Sequence, residues 1–252
     1  MRRFTPVLVA LSAMLPMWGA APVLAQTLSH GPDSHVGPAS SSTNWSGYAV
    51  FATGTTFTDA KGSWDQPAVS CPNSTKKYSS FWVGIDGYNS SSVEQTGTEA
   101  DCKGTNRPSY YAWYEMYPSP SVKITGFAVH PGDTISAEVS VSGTQFTLTL
   151  DNVTTGAHFS TTKTSSAVRT SAEWVAEAPT ICAFSCKLAK LANFGTVNFS
   201  GSYATGNGVT GSISDPSWTY DAITMVSGLT TKAQPSALSP DGTAFSITWK
   251  HS

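Results

Sequence analysis

Charge is scarce in this chain. Of 252 residues, 14 are Lys or Arg and 16 are Asp or Glu, together 12%. No long Lys/Arg run and no basic patch occurs, so nucleic acid is not an expected partner. The most recognisable catalytic signatures are missing too. There is no Gly-x-Ser-x-Gly elbow, no His-Glu-x-x-His, and no Asp-Thr-Gly or Asp-Ser-Gly. An ordinary aspartic protease is thereby disfavoured. Histidine is rare: beyond the N-terminal stretch only His130, His158 and His251 remain. His130 precedes a Pro-Gly turn and His251 is next to last, which leaves a histidine triad little to work with. Catalysis, if present, has to rest on carboxylates and amides.

Long apolar runs are also few. The one present, Pro6 to Ala25, follows Arg2 and Arg3 and ends in Val23-Leu24-Ala25, the small-x-small form of a signal-peptidase site. Pro6, Pro16, Gly19 and Pro22 weaken it as a membrane span. Residues 1–25 are therefore expected to be a signal peptide cleaved before Gln26, with no membrane attachment afterwards. Losing two arginines and no acids leaves 12 basic against 16 acidic residues, a net charge of −4. Residues 26–42 are polar, punctuated by Gly31, Pro32, Gly37 and Pro38, and read as a flexible linker or short propeptide. His30 and His35 fall in this stretch and are not expected to be catalytic. Residues 43–252 remain as one sizeable domain.

There are four cysteines, Cys71, Cys102, Cys182 and Cys186. In an exported chain an even count reads first as two disulfides. Four cysteines allow three pairings. The short spacing favours Cys182 with Cys186, which leaves Cys71 with Cys102. A four-cysteine zinc site is the competing reading, but its spacings do not fit.

What the chain does have is Ser, Thr, Gly and aromatics in short alternating runs. Ten strands are expected: Trp45 to Phe51, Thr55 to Trp64, Ser79 to Asp86, Tyr110 to Tyr117, Thr134 to Val141, Thr144 to Asn152, Ser171 to Glu177, Gly195 to Tyr203, Ala222 to Val226 and Thr243 to Trp249. Only Cys186 to Asn193 reads as a short helix. Such a set makes an antiparallel β-sandwich or a closed barrel, and the sandwich is preferred because a cleft suits an open, curved sheet.

The cleft is suggested by one stretch, Ser79 to Tyr117. In Ser80-Phe81-Trp82-Val83-Gly84-Ile85-Asp86, the residues Phe81, Val83 and Ile85 share one face, and Trp82, Gly84 and Asp86 the other. In the run to Tyr117, the residues Tyr111, Trp113, Glu115 and Tyr117 share a face. A short segment from Val93 to Gly97 carrying Gln95 lies between them. Tryptophan beside carboxylates is unlike an ordinary solvated face and resembles a cleft lining. In Ser171 to Glu177, Glu173 again stands opposite an apolar stripe. Asp86, Gln95, Glu115 and Glu173 are the candidate catalytic groups, with Trp82 and Trp113 beside them.

These elements are similar to those of the glutamic peptidases, or eqolisins. The resemblance runs through Asn44-Trp45-Ser46-Gly47, Trp82-Val83-Gly84-Ile85-Asp86-Gly87, Gln95-Thr96-Gly97, Ala112-Trp113-Tyr114-Glu115-Met116-Tyr117-Pro118 and Ala172-Glu173-Trp174. It covers Asn44 to the C-terminus and is strongest up to Glu177. It implies a concanavalin A/lectin-like jelly-roll sandwich and a secreted, pepstatin-insensitive acid endopeptidase. Such an enzyme acts as a monomer on proteins or peptides, with no cofactor and no metal. The family's dyad falls on Gln95 and Glu173, and its supporting, substrate-binding residues on Trp82, Asp86, Trp113 and Glu115. Glu94 departs from the pattern, since an apolar residue is expected before the glutamine; on a strand it points away from Gln95. A glycoside hydrolase and a non-catalytic carbohydrate-binding module on the same kind of sandwich are the alternatives.

Overall fold

A computed structural model describes Met1, residues 26–32 and residues 41–252. The signal peptide expected over 1–25 and His35 lie outside the described residues, Met1 excepted.

Alternating sequence makes this chain a run of strands. The first group is β1 (Thr27–Ser29), β2 (Ser41–Ser42), β3 (Trp45–Phe51), β4 (Phe57–Asp65), β5 (Ser80–Ile85), β6 (Val93–Cys102), β7 (Pro108–Tyr117) and β8 (Val122–Lys123). Next come β9 (Thr134–Ser142), β10 (Gln145–Asn152), β11 (Ala157–Thr164), β12 (Ser171–Glu177), β13 (Thr180–Cys182) and β14 (Cys186–Leu188). The last are β15 (Thr196–Gly206), β16 (Val209–Ser212), β17 (Thr219–Ser227), β18 (Thr230–Pro235) and β19 (Phe245–Trp249). One continuous order, β11-β10-β9-β4-β15-β19-β18-β17-β3-β12-β5-β6-β7-β8, folds back on itself as an antiparallel β-sandwich. β3 and β12 have the expected bounds, and the other expected strands shift at their ends or lengthen.

The main core lies between the layers. Period two sends Phe81, Val83 and Ile85 of β5 and Ala172, Trp174 and Ala176 of β12 into it, against Trp64, Phe146, Leu148 and Phe199 from the opposite layer. Buried indoles need acceptors. Trp174 Nε1 donates to the Lys61 carbonyl at 2.8 Å and Trp64 Nε1 to Thr98 Oγ1 at 3.1 Å. Disulfides join Cys71 to Cys102 and Cys182 to Cys186.

The helix expected over 186–193 is absent. Leu188, Leu191 and Ala192 do recur at helix-like spacing, but the backbone groups there have partners elsewhere. The Tyr78 amide donates to the Lys190 carbonyl and the Ala192 amide to the Tyr78 carbonyl, each at 2.9 Å. The Cys182–Cys186 bridge starts the segment as one arm of the β13–β14 hairpin. Tertiary pairing overrides local preference here.

Candidate active site

Four adjacent strands build the site, and their register explains its motifs. One row across the sheet reads Glu173, Gly84, Gln95, Glu115 on β12, β5, β6 and β7. The next row on the same face reads Val175, Trp82, Gly97, Trp113. Each glycine faces a large neighbour. A Cβ on Gly84 would lie 3.1 Å from the Gln95 Cβ and 3.0 Å from the Trp82 ring. A Cβ on Gly97 would lie 2.1 Å from the Phe81 carbonyl oxygen and 2.6 Å from the Trp82 Cβ. The Trp-Val-Gly and Gln-Thr-Gly elements are thus complementary: Trp82 lies over Gly97, and Gln95 sits beside Gly84.

The face is lined by a second apolar cluster, including Trp45, Trp82, Trp113, Val175 and Ile223. Trp82 packs edge-on against Trp45 with centroids 4.9 Å apart, and its Nε1 donates to Glu177 Oε2 at 2.8 Å. Glu173 is fully buried, and neither of its oxygens has a hydrogen-bond partner within good geometry. Burial pushes its pKa well above the ordinary carboxyl range, the nearby Ser171 hydroxyl and Tyr88 amide oppose this, and the charges of Asp86 and Glu94 add to it.

Asp86 does not reach Gln95 or Glu173 by a hydrogen bond. It ends β5 with φ 72° and accepts from the amides of Arg169 at 2.6 Å and Thr170 at 2.8 Å, and from Thr170 Oγ1 at 3.1 Å. It therefore fixes the chain entering β12, three to four residues before Glu173. Glu115 points away from Gln95 and Glu173, at His30.

That partner comes from the stretch expected to be flexible. Residues 26–32 lie along the cleft, with β1 paired antiparallel to β13. His30 is fully buried and stacks on Trp113, with ring centroids 3.7 Å apart and planes at 9°. Its Nδ1 lies 2.8 Å from Glu115 Oε2, and its Nε2 lies 2.6 Å from Glu99 Oε1. Gln95 Nε2 donates a short hydrogen bond to the His30 carbonyl.

Glu99 and Glu177 belong to this face although neither stands among the candidates above. Burial drives both carboxyls well above their usual range, helped by Asp101 beside Glu99 and by Glu115 beside Glu177. Their signal was present in the sequence. Glu99 is four residues after Gln95 and Glu177 four after Glu173, so strand period places each on the same face as those two residues. Among the described residues no cluster of His, Cys, Asp or Glu forms a metal site.

Fold and face together define a class: a β-sandwich bearing a carboxylate-and-amide cleft walled by tryptophan. Residues 43–246 match the Peptidase A4 family. Aspergillopepsin-2 of Aspergillus niger is 30% identical over 202 residues, 69% of this chain and 68% of that protein. Scytalidopepsin B of Scytalidium lignicola is 32% identical over 182 residues, 68% and 67% of the two chains. A solved structure, scytalido-glutamic peptidase with a transition state analog inhibitor, superposes with a TM-score of 0.71 at 27% identity. It covers 82% of this chain and 98% of that one. The chain belongs to the Peptidase A4 family, the glutamic peptidases or eqolisins. It is a glutamic peptidase, and the sugar-directed alternatives are not favoured.

Proposed function

We propose that this protein is a secreted acid endopeptidase in which Gln95 and Glu173 activate water for direct attack on a peptide bond, without a covalent intermediate. The observation that carries the reading is the pairing of a buried, unpartnered Glu173 with a Gln95 amide that already donates to a peptide carbonyl, that of His30.

The chemistry follows from the groups. Glu173 in its ionised form takes a proton from water while Gln95 Oε1 accepts the water's other proton as a hydrogen bond. Gln95 Nε2 donates to the carbonyl oxygen, and that bond strengthens as the oxyanion forms. Glu173 then returns the proton to the leaving amine. Asp86 holds the approach to β12, and Trp113 gives substrate side chains a flat apolar wall. Several carboxyls crowd the cleft, and those of Glu99, Glu173 and Glu177 are all raised. They cannot all be ionised cheaply, so in acid the neighbouring carboxyls stay protonated and leave room for the one charge that the reaction uses, that of Glu173, and the pH profile belongs to the coupled set. Export is supported by the leader sequence and by the two disulfides.

The test is cleavage of an unfolded protein from about pH 2 to 7, spanning carboxyl titration, with pepstatin present. Wild type and Glu173→Gln run side by side. Acid-confined activity that is lost in a folded Glu173→Gln supports the reading. Full activity in that variant refutes the dyad.

A further inference from the structure

Residues Thr27 to Pro32 are seated as a peptide substrate would be. β1 adds to the edge of the β13–β14 hairpin, with Leu28 opposite Ile181 and Ser29 opposite Thr180. From the other side, the Ser121 amide and hydroxyl both donate to the Leu28 carbonyl, at 3.3 and 2.8 Å. The Ser29 hydroxyl and the His30 amide donate to Glu115, at 3.1 and 2.8 Å. The imidazole fills the slot formed by Trp113, Glu115 and Glu99.

The next peptide unit is fixed as firmly. Asn44 Nδ2 donates to the Gly31 carbonyl at 2.7 Å. Gly31 packs against the Tyr117 ring so closely that a Cβ would sit 2.7 Å from it. One carbonyl of the segment, that of His30, takes the Gln95 amide. Anchored extended backbone, a filled side-chain slot and a carbonyl on the amide donor all converge on one bond.

We infer that this enzyme cuts its own chain between His30 and Gly31. The inference rests on the Gln95/Glu173 reading above. In the step, the water oxygen bonds to the His30 carbonyl carbon and its proton passes to Glu173. Charge develops on the His30 oxygen against Gln95 Nε2. The C–N bond to Gly31 breaks, and Glu173 delivers the proton to the Gly31 nitrogen. The products are a carboxylate at His30 and an amine at Gly31, with water as the only co-reactant. Until the cut is made, the segment covers Gln95, Glu99 and Glu115, so the uncut chain is latent toward other substrates.

The experiment follows the N-terminus of the purified full chain by intact mass and N-terminal sequencing after a shift from neutral pH to acid. Wild type, Gly31→Val and Glu173→Gln are compared, and a synthetic peptide spanning residues 27–32 is offered to matured enzyme. The expected result is a chain beginning at Gly31, formed at a rate independent of protein concentration, and cleavage of the peptide at the same bond. Gly31→Val, whose side chain meets Tyr117, slows the cut by about 100-fold. If an external protein is digested but no species begins at Gly31 and the peptide is cut elsewhere or not at all, this inference falls while the dyad reading stands. The same holds if Gly31→Val is processed at the wild-type rate. If Glu173→Gln still digests protein, the dyad falls and this inference with it.

Discussion

Glu94 gives the sharpest test of how burial sets this protein's response to pH. It lies on β6 opposite Gln95's face, registered between Ile85 and Met116, and is 1% exposed. Its Oε1 accepts from Ser165 Oγ at 3.0 Å, and its Oε2 has no partner. Burial raises its pKa from 4.5 to about 7; the Ser165 hydroxyl opposes this and the Asp86 charge adds to it. The folded state therefore holds the proton more tightly than the unfolded chain. The resulting stabilisation is complete below about pH 4.5 and is lost as pH rises through about 7. The difference between those two values corresponds to about 3 kcal/mol.

Glu94→Gln removes the titration and keeps the shape. Ser165 can still donate to the amide oxygen, while the new NH₂ takes the place of an oxygen that has no partner. That costs about 1 kcal/mol in acid. The variant is therefore expected to be slightly less stable than its parent at pH 4 and about 2 kcal/mol more stable near pH 8. The swing corresponds to roughly 6–12 °C in relative Tm for a domain of this size. Thermal unfolding read by tryptophan fluorescence measures it, in a Glu173→Gln background, which on the proposed mechanism does not digest itself. Parallel Tm–pH curves for the two proteins would refute the reasoning, because they would mean that Glu94 titrates alike in both states.

Two further substitutions probe the site and the frame. Gly84→Ala puts a methyl 3.0 Å from the Trp82 ring and 3.1 Å from the Gln95 Cβ; kcat/KM on a peptide should drop by about 100-fold, with the protein still folded by circular dichroism. Replacing Cys71 and Cys102 by Ala opens a loop of sequence separation 31 that encloses β5 and nearly all of β6, and should lower the urea-unfolding free energy by about 3–4 kcal/mol.

Which parts of the fold were legible in the sequence depends on whether one face of a strand was enough to define it. β5 and β12 were plain because Phe81, Val83 and Ile85, and Ala172, Trp174 and Ala176, mark one apolar face by alternation. β6 was harder. Its second half, Thr98-Glu99-Ala100-Asp101, looks like polar surface, yet every residue is buried: Thr98 bonds Trp64 and Gln66, Ala100 packs in the main core, Glu99 is capped by His30 and Asp101 pairs with Lys103. β11 carries no such mark for the opposite reason. Its side chains alternate between half-buried and exposed, and pairing with β10 defines it more than burial does.

That Gln95, Glu173, Trp82 and Trp113 share one face was legible because each sits in a strand whose register can be counted. His30 was not, and the reason is physical. Burying an imidazole costs free energy unless its nitrogens are bonded. Here they are bonded by Glu99 and Glu115, 69 and 85 residues further along the chain. Neither carboxylate is near His30 until β6 and β7 have paired and Trp113 offers its face. In isolation the stretch around His30 is polar and aperiodic, as a linker is. Its seat exists only in the folded cleft, and a segment held by long-range carboxylates, a sheet edge and the Gln95 amide carries no mark of them in its own sequence.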